Sequence, residues 1–464
     1  MEAASEYSEK PPRSGAARSD ASCARDGSEP LGDIGENDVF GLEETHDIKY
    51  KSLSWPMTAV LMIAEIVSNG MLSLPSSLAA VGMVPGLIII VFLGVFATYT
   101  SWLLVQFKLR HPEVHNMGDA GFIMFGPIGR ELLSFGTLCF AIFGTGGQLL
   151  AGQLALASLT SGKLCNVVYT AIFAIATLLL SLPRTFSGLG LLSVLSVACI
   201  AVGGVVGMAA AGAHPAPDRQ IDIVTTDTNF FTAFASITNP VFSFAGHFVF
   251  FVLLSEMKEP KHAMRAAYAL QGFATSYYAI FAGVTYAFLG KAVKSPSFIS
   301  LDPYWQNVCW GIILPNLLIA GSLYSHTAAK VVFIRIFRHS RHLHSDTVLG
   351  WGVWAALIAV VNGLAFLLAV GVPIFNYLIG IAASLFAAWF TYGIAGMFWL
   401  HDAYHAGDGF SVWRKCWFQA GMALLTVLTG AFICVAGLYV NIKSLADDYA
   451  AGVIPSAFSC SAPS

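Results

Sequence analysis

The chain has 464 residues, of which 56% are hydrophobic and only 11% charged, whereas soluble domains average about 25% charged residues. Its mean hydropathy of +0.69 excludes an ordinary soluble domain. The net charge of −3 says little about partners, but the sequence has no basic patch with interleaved aromatic residues that would suggest nucleic acid. These values predict a polytopic membrane protein. Its spans need about 20 apolar residues each and are helical, because the bilayer offers backbone groups no water to bond.

The two ends of the chain differ from the apolar region between them. Residues 1–50 are polar, small and mixed in charge, and they lack the apolar stretch of a signal peptide. They are predicted to form a disordered cytosolic tail that offers serine and lysine side chains to regulatory partners. Residues 51–441 are predicted to form the transmembrane domain, and residues 442–464 a short C-terminal tail.

Eleven apolar segments are predicted to span the bilayer, at residues 55–79, 84–107, 131–159, 164–182, 187–212, 232–256, 266–290, 309–333, 348–371, 374–400 and 417–441. Lysine and arginine cluster in alternate loops, as around residues 108–130, 258–265 and 330–341, and such loops normally face the cytosol. This bias places the N-terminus in the cytosol. With an odd number of spans, the C-terminus lies outside.

The first predicted span contains the stretch AEIVSNGMLSLP, residues 64–75, and is polar where it should be driest. Glu65 is ionisable, and ionisable residues inside the membrane are costly and usually mark a site or pathway. The triplet Ser68-Asn69-Gly70 favours unwinding, because Asn and Gly tolerate non-helical backbone. Unwound backbone at membrane depth is tolerated only where it lines a cavity or is buried in protein. The span is therefore predicted to be a broken helix.

A second interruption lies five spans later, in SITNPVFSFAGHFVFFVLLSEMKEP, residues 236–260, at Asn239-Pro240 and Ala245-Gly246-His247. Two broken helices at matching positions indicate a transporter built from inverted repeats of spans 1–5 and 6–10, plus one extra helix. The half-helix N-termini would bind a carboxylate, and the freed carbonyls would bind a cation or an ammonium group. Together they fit a zwitterionic amino acid.

The sequence contains no G-x-x-x-x-G-K-[ST] loop to hold ATP phosphates, so uphill transport requires a secondary carrier coupled to protons or sodium. Glu65, His247 and His326 are the candidate proton carriers, because they titrate and lie inside predicted spans. Ser325 and Thr327 would instead supply hydroxyl oxygens to a sodium ion. The neighbouring His326 favours protons, and no cofactor other than the coupling ion is predicted.

The stretches AEIVSNGMLSLPSSLAAVG, FSFAGH followed by SEMKEP, and LYSHTAAKVVFIRIF resemble the amino acid/auxin permease family. They are most similar to its fungal neutral amino acid permeases of the methyltryptophan-resistance type, over residues 50–441. The resemblance implies the fold of sodium-coupled leucine transporters. It also implies uptake of neutral, aliphatic or aromatic, amino acids at the plasma membrane, driven by a proton gradient. A vacuolar membrane is the alternative location.

Family positions carry over to both interruptions and to the eighth span. Ser68 stands where the family usually has a glycine, and it adds a side chain to the pocket. The residues expected to bind substrate are Ser68, Asn69, Gly70, Met71, Phe143, Phe242, Ser243, Phe244, Ala245 and Gly246. The residues expected to couple ions are Glu65, His247, Ser325, His326 and Thr327, the last three lying where relatives of this fold hold sodium.

Three other interpretations stay open. The two interruptions could be unrelated kinks, since Gly and Pro are common in membrane helices. A membrane enzyme could use two histidine clusters as metal ligands, His401 with His405 and His339 with His342 and His344, although both clusters lie in basic loops. A nutrient sensor of the same fold would share these features.

Two side-chain pairs are also predicted from loop positions. Cys165 and Cys309 lie in or beside predicted outer loops and are candidates for a disulfide bond. Glu256 lies at a cytosolic helix end near Lys258, with which it is predicted to pair.

Overall fold

The computed structural model describes residues 50–460, except 218, 227, 339, 344, 373, 406–408, 453–457 and 459. The predicted N-terminal tail therefore lies almost wholly outside the described residues. The α-helices are, in chain order, α1 (Trp55–Ile66), α2 (Leu74–Val81), α3 (Met83–Arg110), α4 (Met117–Leu159), α5 (Asn166–Leu180), α6 (Phe186–Ala213), α7 (Phe230–Ser243), α8 (Phe250–Ser255), α9 (Ala263–Leu289), α10 (Pro303–Phe337), α11 (Val348–Gly371), α12 (Phe375–Ala382), α13 (Ile394–His405), α14 (Phe410–Lys415) and α15 (Trp417–Ala450). A π-helix, Ala383–Gly393, joins α12 to α13.

Within the described residues, eight helical stretches are long and apolar enough to cross a membrane, and a ninth forms if α1 and the bent segment after it count as one span. The other two predicted spans are also helical. Asn166–Leu180 is apolar but has only 15 residues, and Ala263–Leu289 is long but more polar. The protein is therefore a multi-pass membrane protein, and the number of eleven spans stays a prediction.

The first predicted break is present. Helix α1 ends at Ile66, and Ser68 has non-helical backbone with φ −146° and ψ −132°. A short 3-10 turn, Asn69–Ser73, then leads into α2, with a bend of 43° between the two helical parts. Pro75 sits in the first turn of α2, where its missing N–H costs no hydrogen bond. The proline therefore starts the second half-helix and does not cause the break.

The second predicted break is also present. Helix α7 ends at Ser243, and a 3-10 turn, His247–Val249, precedes α8. Of the residues in an 18-residue apolar window within Phe230–Ser255, 94% are buried, against 39% in the corresponding windows of α6, α11 and α15. The broken span therefore runs through the centre of the protein, where irregular backbone is shielded from lipid.

The predicted disulfide bond between Cys165 and Cys309 is wrong. Cys165 is bonded to Cys460 of the C-terminal tail, whereas Cys309 is a buried free thiol. The reason is that α10 begins at Pro303, so Cys309 lies inside a helix and packs into the core instead of lying in a loop.

The predicted pairing of Glu256 with Lys258 is also wrong. Glu256 instead forms an ion pair with Lys330 of α10, and the two residues are only 0% and 1% exposed. The segment before α1 covers this end of α8, because Leu53 N–H donates to the Glu256 carbonyl and Lys258 N–H donates to the Leu53 carbonyl. The buried pair therefore ties α8 to α10 beneath the second break.

We expect Lys330→Ala to lower the free energy of unfolding by about 3–5 kcal/mol, because it leaves the Glu256 carboxylate buried without its cation. Denaturant unfolding in detergent micelles measures this loss. The matched control is Arg335→Ala, which removes an ion pair to Glu131 whose partners are 51% and 61% exposed and should change stability far less. Equal losses in the two variants would contradict this assignment.

Candidate functional site

The two helix breaks lie directly against each other. A Cβ atom built on Gly70 would lie 3.1 Å from the Cα of Ser243, and one built on Gly246 would lie 1.9 Å from Cδ1 of Ile66. Each break thus has a glycine at the point of contact: Gly70 faces Ser243, and Gly246 faces Ile66. The structure brings together the two interruptions that the sequence predicted, and the lack of side chains at these glycines permits that approach.

Polar side chains from two other helices hold the first break. The Ser68 hydroxyl donates to Oδ1 of Asn316, at 2.6 Å, and lies 3.1 Å from Oε1 of Gln148. The Gln148 amide in turn donates to Oδ1 of Asn69, at 3.1 Å. Ser68 therefore anchors the unwound segment to α4 and α10.

The Asn69 amide nitrogen is a buried donor with no hydrogen-bond partner among the described residues. It faces Gly147 of α4, where a Cβ would lie 3.1 Å away. A buried donor without an acceptor is costly, and such groups are rare in native structures. Asn69 thus has one amide atom fixed by Gln148 and the other available to an acceptor.

Aromatic side chains cover one side of the second break. Phe140 of α4 lies edge-on to Phe248 with ring centres 4.8 Å apart, and edge-on to Phe242 at 6.4 Å. Tyr324 of α10 stacks on Phe248 at 5.8 Å. These rings form an aromatic wall beside the second break.

The other predicted substrate residues lie in or beside the breaks. Met71, Phe244 and Ala245 are buried, and the buried Ser243 hydroxyl donates to the Asn239 carbonyl at 2.9 Å. Phe143 is half-buried and contacts Phe386, with ring centres 5.5 Å apart. The Ser243 hydroxyl therefore donates its proton to a hydrogen bond within its own helix, α7.

Glu65 lies in the last turn of α1 and is 1% exposed. Its Oε1 atom has no hydrogen-bond partner in the described part of the chain. A buried carboxylate without a cation is expensive, so this side chain has unused capacity for a proton or a cation.

His247 contacts α3 through one ring nitrogen. Its Nε2 atom lies 3.0 Å from the Ala97 carbonyl, 2.9 Å from the Ser101 hydroxyl and 3.2 Å from the Thr100 hydroxyl. A carbonyl oxygen only accepts, so Nε2 carries the hydrogen. His247 is thereby bonded to the neighbouring helix.

The predicted ion residues of α10 lie apart from the contacts between the breaks. His326 packs edge-on to Phe186 and Trp354, with ring centres 4.5 Å and 5.1 Å away. The Ser325 hydroxyl accepts from the Asn362 amide at 2.7 Å. The Thr327 hydroxyl and both His326 nitrogens lack hydrogen-bond partners among the residues described.

The histidine clusters do not assemble at the breaks. His401 and His405 pack with tilted rings at the end of α13, with ring centres 4.2 Å apart, and His342 bonds to the Thr347 hydroxyl at 2.8 Å. The other two predicted members of the second cluster, His339 and His344, lie outside the described residues.

Comparison with known proteins supports a transporter. A family model described as transmembrane amino acid transporter protein matches residues 51–443. A transmembrane transporter of Gibberella moniliformis is 29% identical over 437 residues, which cover 92% of this chain and 91% of that protein. The N amino acid transport system protein of Neurospora crassa is 28% identical over 425 residues, 89% of each chain.

Two solved structures share the fold. A Na+-coupled sialic acid symporter in a substrate-bound, outward-open state matches with a TM-score of 0.54 and 12% identity, over 88% of this chain and 94% of that one. MhsT in complex with L-phenylalanine matches with a TM-score of 0.50 and 13% identity, over 84% and 98%. These likenesses confirm the predicted all-α transporter fold, and the family excludes the enzyme alternative. The chain belongs to the transmembrane amino acid transporter protein family.

Proposed function

We propose that the protein imports neutral amino acids across the plasma membrane by proton symport, with its N-terminus in the cytosol. The observation that carries this proposal is the direct contact of the two helix breaks at Gly70 and Gly246. Half-helix N-termini there offer N–H groups and a positive dipole end to the substrate carboxylate. Freed carbonyls at the opposing ends offer acceptors to its ammonium group.

The aromatic wall of Phe140, Phe242, Phe248 and Tyr324 supports a neutral substrate. An apolar or aromatic side chain gains by leaving water against these rings, whereas a charged one loses its hydration without a partner. The donor nitrogen of Asn69 would add one hydrogen bond to the carboxylate.

Glu65 supports proton coupling. It lies one turn before the first break, buried and without a partner for Oε1 among the described residues. A proton taken from the outer solution would neutralise it and allow the loaded site to move across the membrane without a buried charge. Sodium held by hydroxyl oxygens is the competing source of the positive charge.

Uptake by purified protein in liposomes tests the proposal. The assay uses radiolabelled neutral, acidic and basic amino acids with an imposed pH gradient, an imposed sodium gradient, or neither. We expect neutral amino acids to accumulate under the pH gradient alone and a protonophore to abolish the accumulation.

Each other result has a defined meaning. Accumulation only under the sodium gradient would contradict proton symport. Binding without accumulation under any gradient would contradict transport and favour an amino acid sensor. Preferential uptake of acidic or basic amino acids would contradict the proposed neutral specificity.

A further inference from the structure

Tyr278 of α9 contacts both helix breaks through one atom. Its hydroxyl lies 2.8 Å from the carbonyl oxygen of Ser243 and 3.2 Å from that of Ile66. Ser243 is the last residue of α7 and Ile66 is the last residue of α1. The two carbonyls are therefore the ends of the two half-helices that stop at the breaks.

Carbonyl groups at a helix C-terminus lack the ordinary helical donors and carry the negative end of the helix dipole. Two such ends that converge inside a membrane protein attract a positive group, which in many transporters is a bound cation. Here the converging oxygens meet the Tyr278 hydroxyl, which carries one proton and is completely buried.

The rest of the Tyr278 side chain is fixed against the second break. Its ring lies edge-on to Phe244, the first residue beyond α7, with ring centres 5.2 Å apart. A tyrosine has only two rotatable side-chain bonds, so packing of the ring also fixes the hydroxyl. The ring and hydroxyl together hold Phe244 and both carbonyl ends in one arrangement.

We propose that Tyr278 is a positioning residue that takes the place of a cation between the two broken helices and sets their register for substrate. This inference rests on the proposed amino acid site. The hydroxyl donates to the Ser243 carbonyl and lies within reach of the Ile66 carbonyl, which also accepts from the Ser68 N–H at 3.1 Å. The two half-helix ends are therefore linked without an ion from solution. The backbone groups offered to the substrate then keep their relative positions before it binds.

The chain offers a matched control in the neighbouring Tyr277. Its hydroxyl also bonds to two backbone carbonyls, those of Ile200 at 2.8 Å and Ala201 at 2.9 Å, but both belong to the unbroken helix α6. Tyr278→Phe and Tyr277→Phe therefore remove the same atom and the same type of bond. Only Tyr278→Phe removes a hydroxyl that contacts the two breaks.

The first readout is hydrogen–deuterium exchange without substrate, in sodium-free buffer. We expect Tyr278→Phe to raise the exchange rate in both segments 66–71 and 243–249, whereas Tyr277→Phe leaves them as in the wild type. Unchanged exchange, or a rise in only one of the two segments, would overturn the bridging role. This readout needs no ligand, so it decides the role of Tyr278 even if the wild type binds no amino acid and the proposed function fails.

The second readout is the Kd for a neutral amino acid that the wild type binds. We expect Tyr278→Phe to raise the Kd about tenfold or more, because loss of the shared hydroxyl leaves the Ser243 carbonyl without its donor and lets the half-helices shift. Tyr277→Phe should leave the Kd within about twofold. Equal Kd values in the two variants, alongside normal wild-type binding, would overturn the positioning role while leaving the proposed function intact.

Discussion

Glu65→Gln is expected to lose accumulation of amino acid against a gradient while still exchanging substrate across the membrane. Glutamine keeps the size of the side chain but does not carry a transferable proton. One pH unit is worth about 1.4 kcal/mol, so a one-proton symporter supports about tenfold accumulation per unit of imposed gradient. In Glu65→Gln the inside and outside concentrations should only equalise, as measured in liposomes with an imposed pH gradient.

Substrate exchange within the same preparation is the internal control, because it requires a folded and occupied site but no net proton movement. Glu131→Gln is the matched variant, since that carboxylate is 61% exposed and pairs with Arg335. It should accumulate substrate as the wild type does. Wild-type accumulation and pH dependence in Glu65→Gln would remove Glu65 as the coupling group and leave His247 and His326 as candidates.

Gly70→Leu is expected to weaken substrate binding by about 10- to 100-fold. A Cβ at this position would meet backbone and side-chain atoms of Ser243 at 3.0–3.1 Å, and the further leucine atoms have to displace the second break. Overpacking typically costs about 1–3 kcal/mol, and here that cost falls on the arrangement that binds substrate. Isothermal titration with a neutral amino acid measures the change.

Gly272→Leu is the control for helix propensity and for the added apolar volume. Gly272 lies in α9 on an exposed face, and a Cβ there would meet nothing within 4 Å. The control should bind as the wild type does. If Gly70→Leu retained wild-type affinity while its melting temperature was unchanged, the substrate would have to bind away from the breaks.

The breaks were predictable because their chemistry is local. Ser68, Asn69 and Gly70 in one apolar run, and Gly246 in another, mark non-helical backbone whatever surrounds them. Their pairing followed from the spacing of the apolar segments alone. The sequence stretches that carried the family resemblance were the same ones, so the fold and the pairing of the two breaks were both accessible before the structure.

The partners of the breaks were not predictable, because they depend on which face of a distant helix points inward. Gln148, Asn316 and Tyr278 come from three other helices, and no sequence spacing relates them to Ser68 or Ile66. A signal existed for the two amides, since both are polar residues inside apolar spans. The sequence held no comparable signal for Tyr278, because it is one of many aromatic residues in the apolar spans.

The two wrong pairings have the same cause. Cys309 and Glu256 were assigned partners from their predicted positions near loops. In the structure, α10 begins six residues before Cys309, so the Cys309 thiol lies in the core. Glu256 lies past the end of α8, and the fold places Lys330 of α10 nearer than its sequence neighbour Lys258. Distance along the chain is a poor guide where helices pack side by side.

The most direct test of the account is a cryo-electron microscopy map of the protein with a saturating neutral amino acid. The account predicts ligand density between the segments 68–70 and 244–246, with the carboxylate at the backbone N–H groups and within hydrogen-bond distance of the Asn69 amide. Ligand density elsewhere in the membrane region, with the two breaks still in contact and empty, would contradict it.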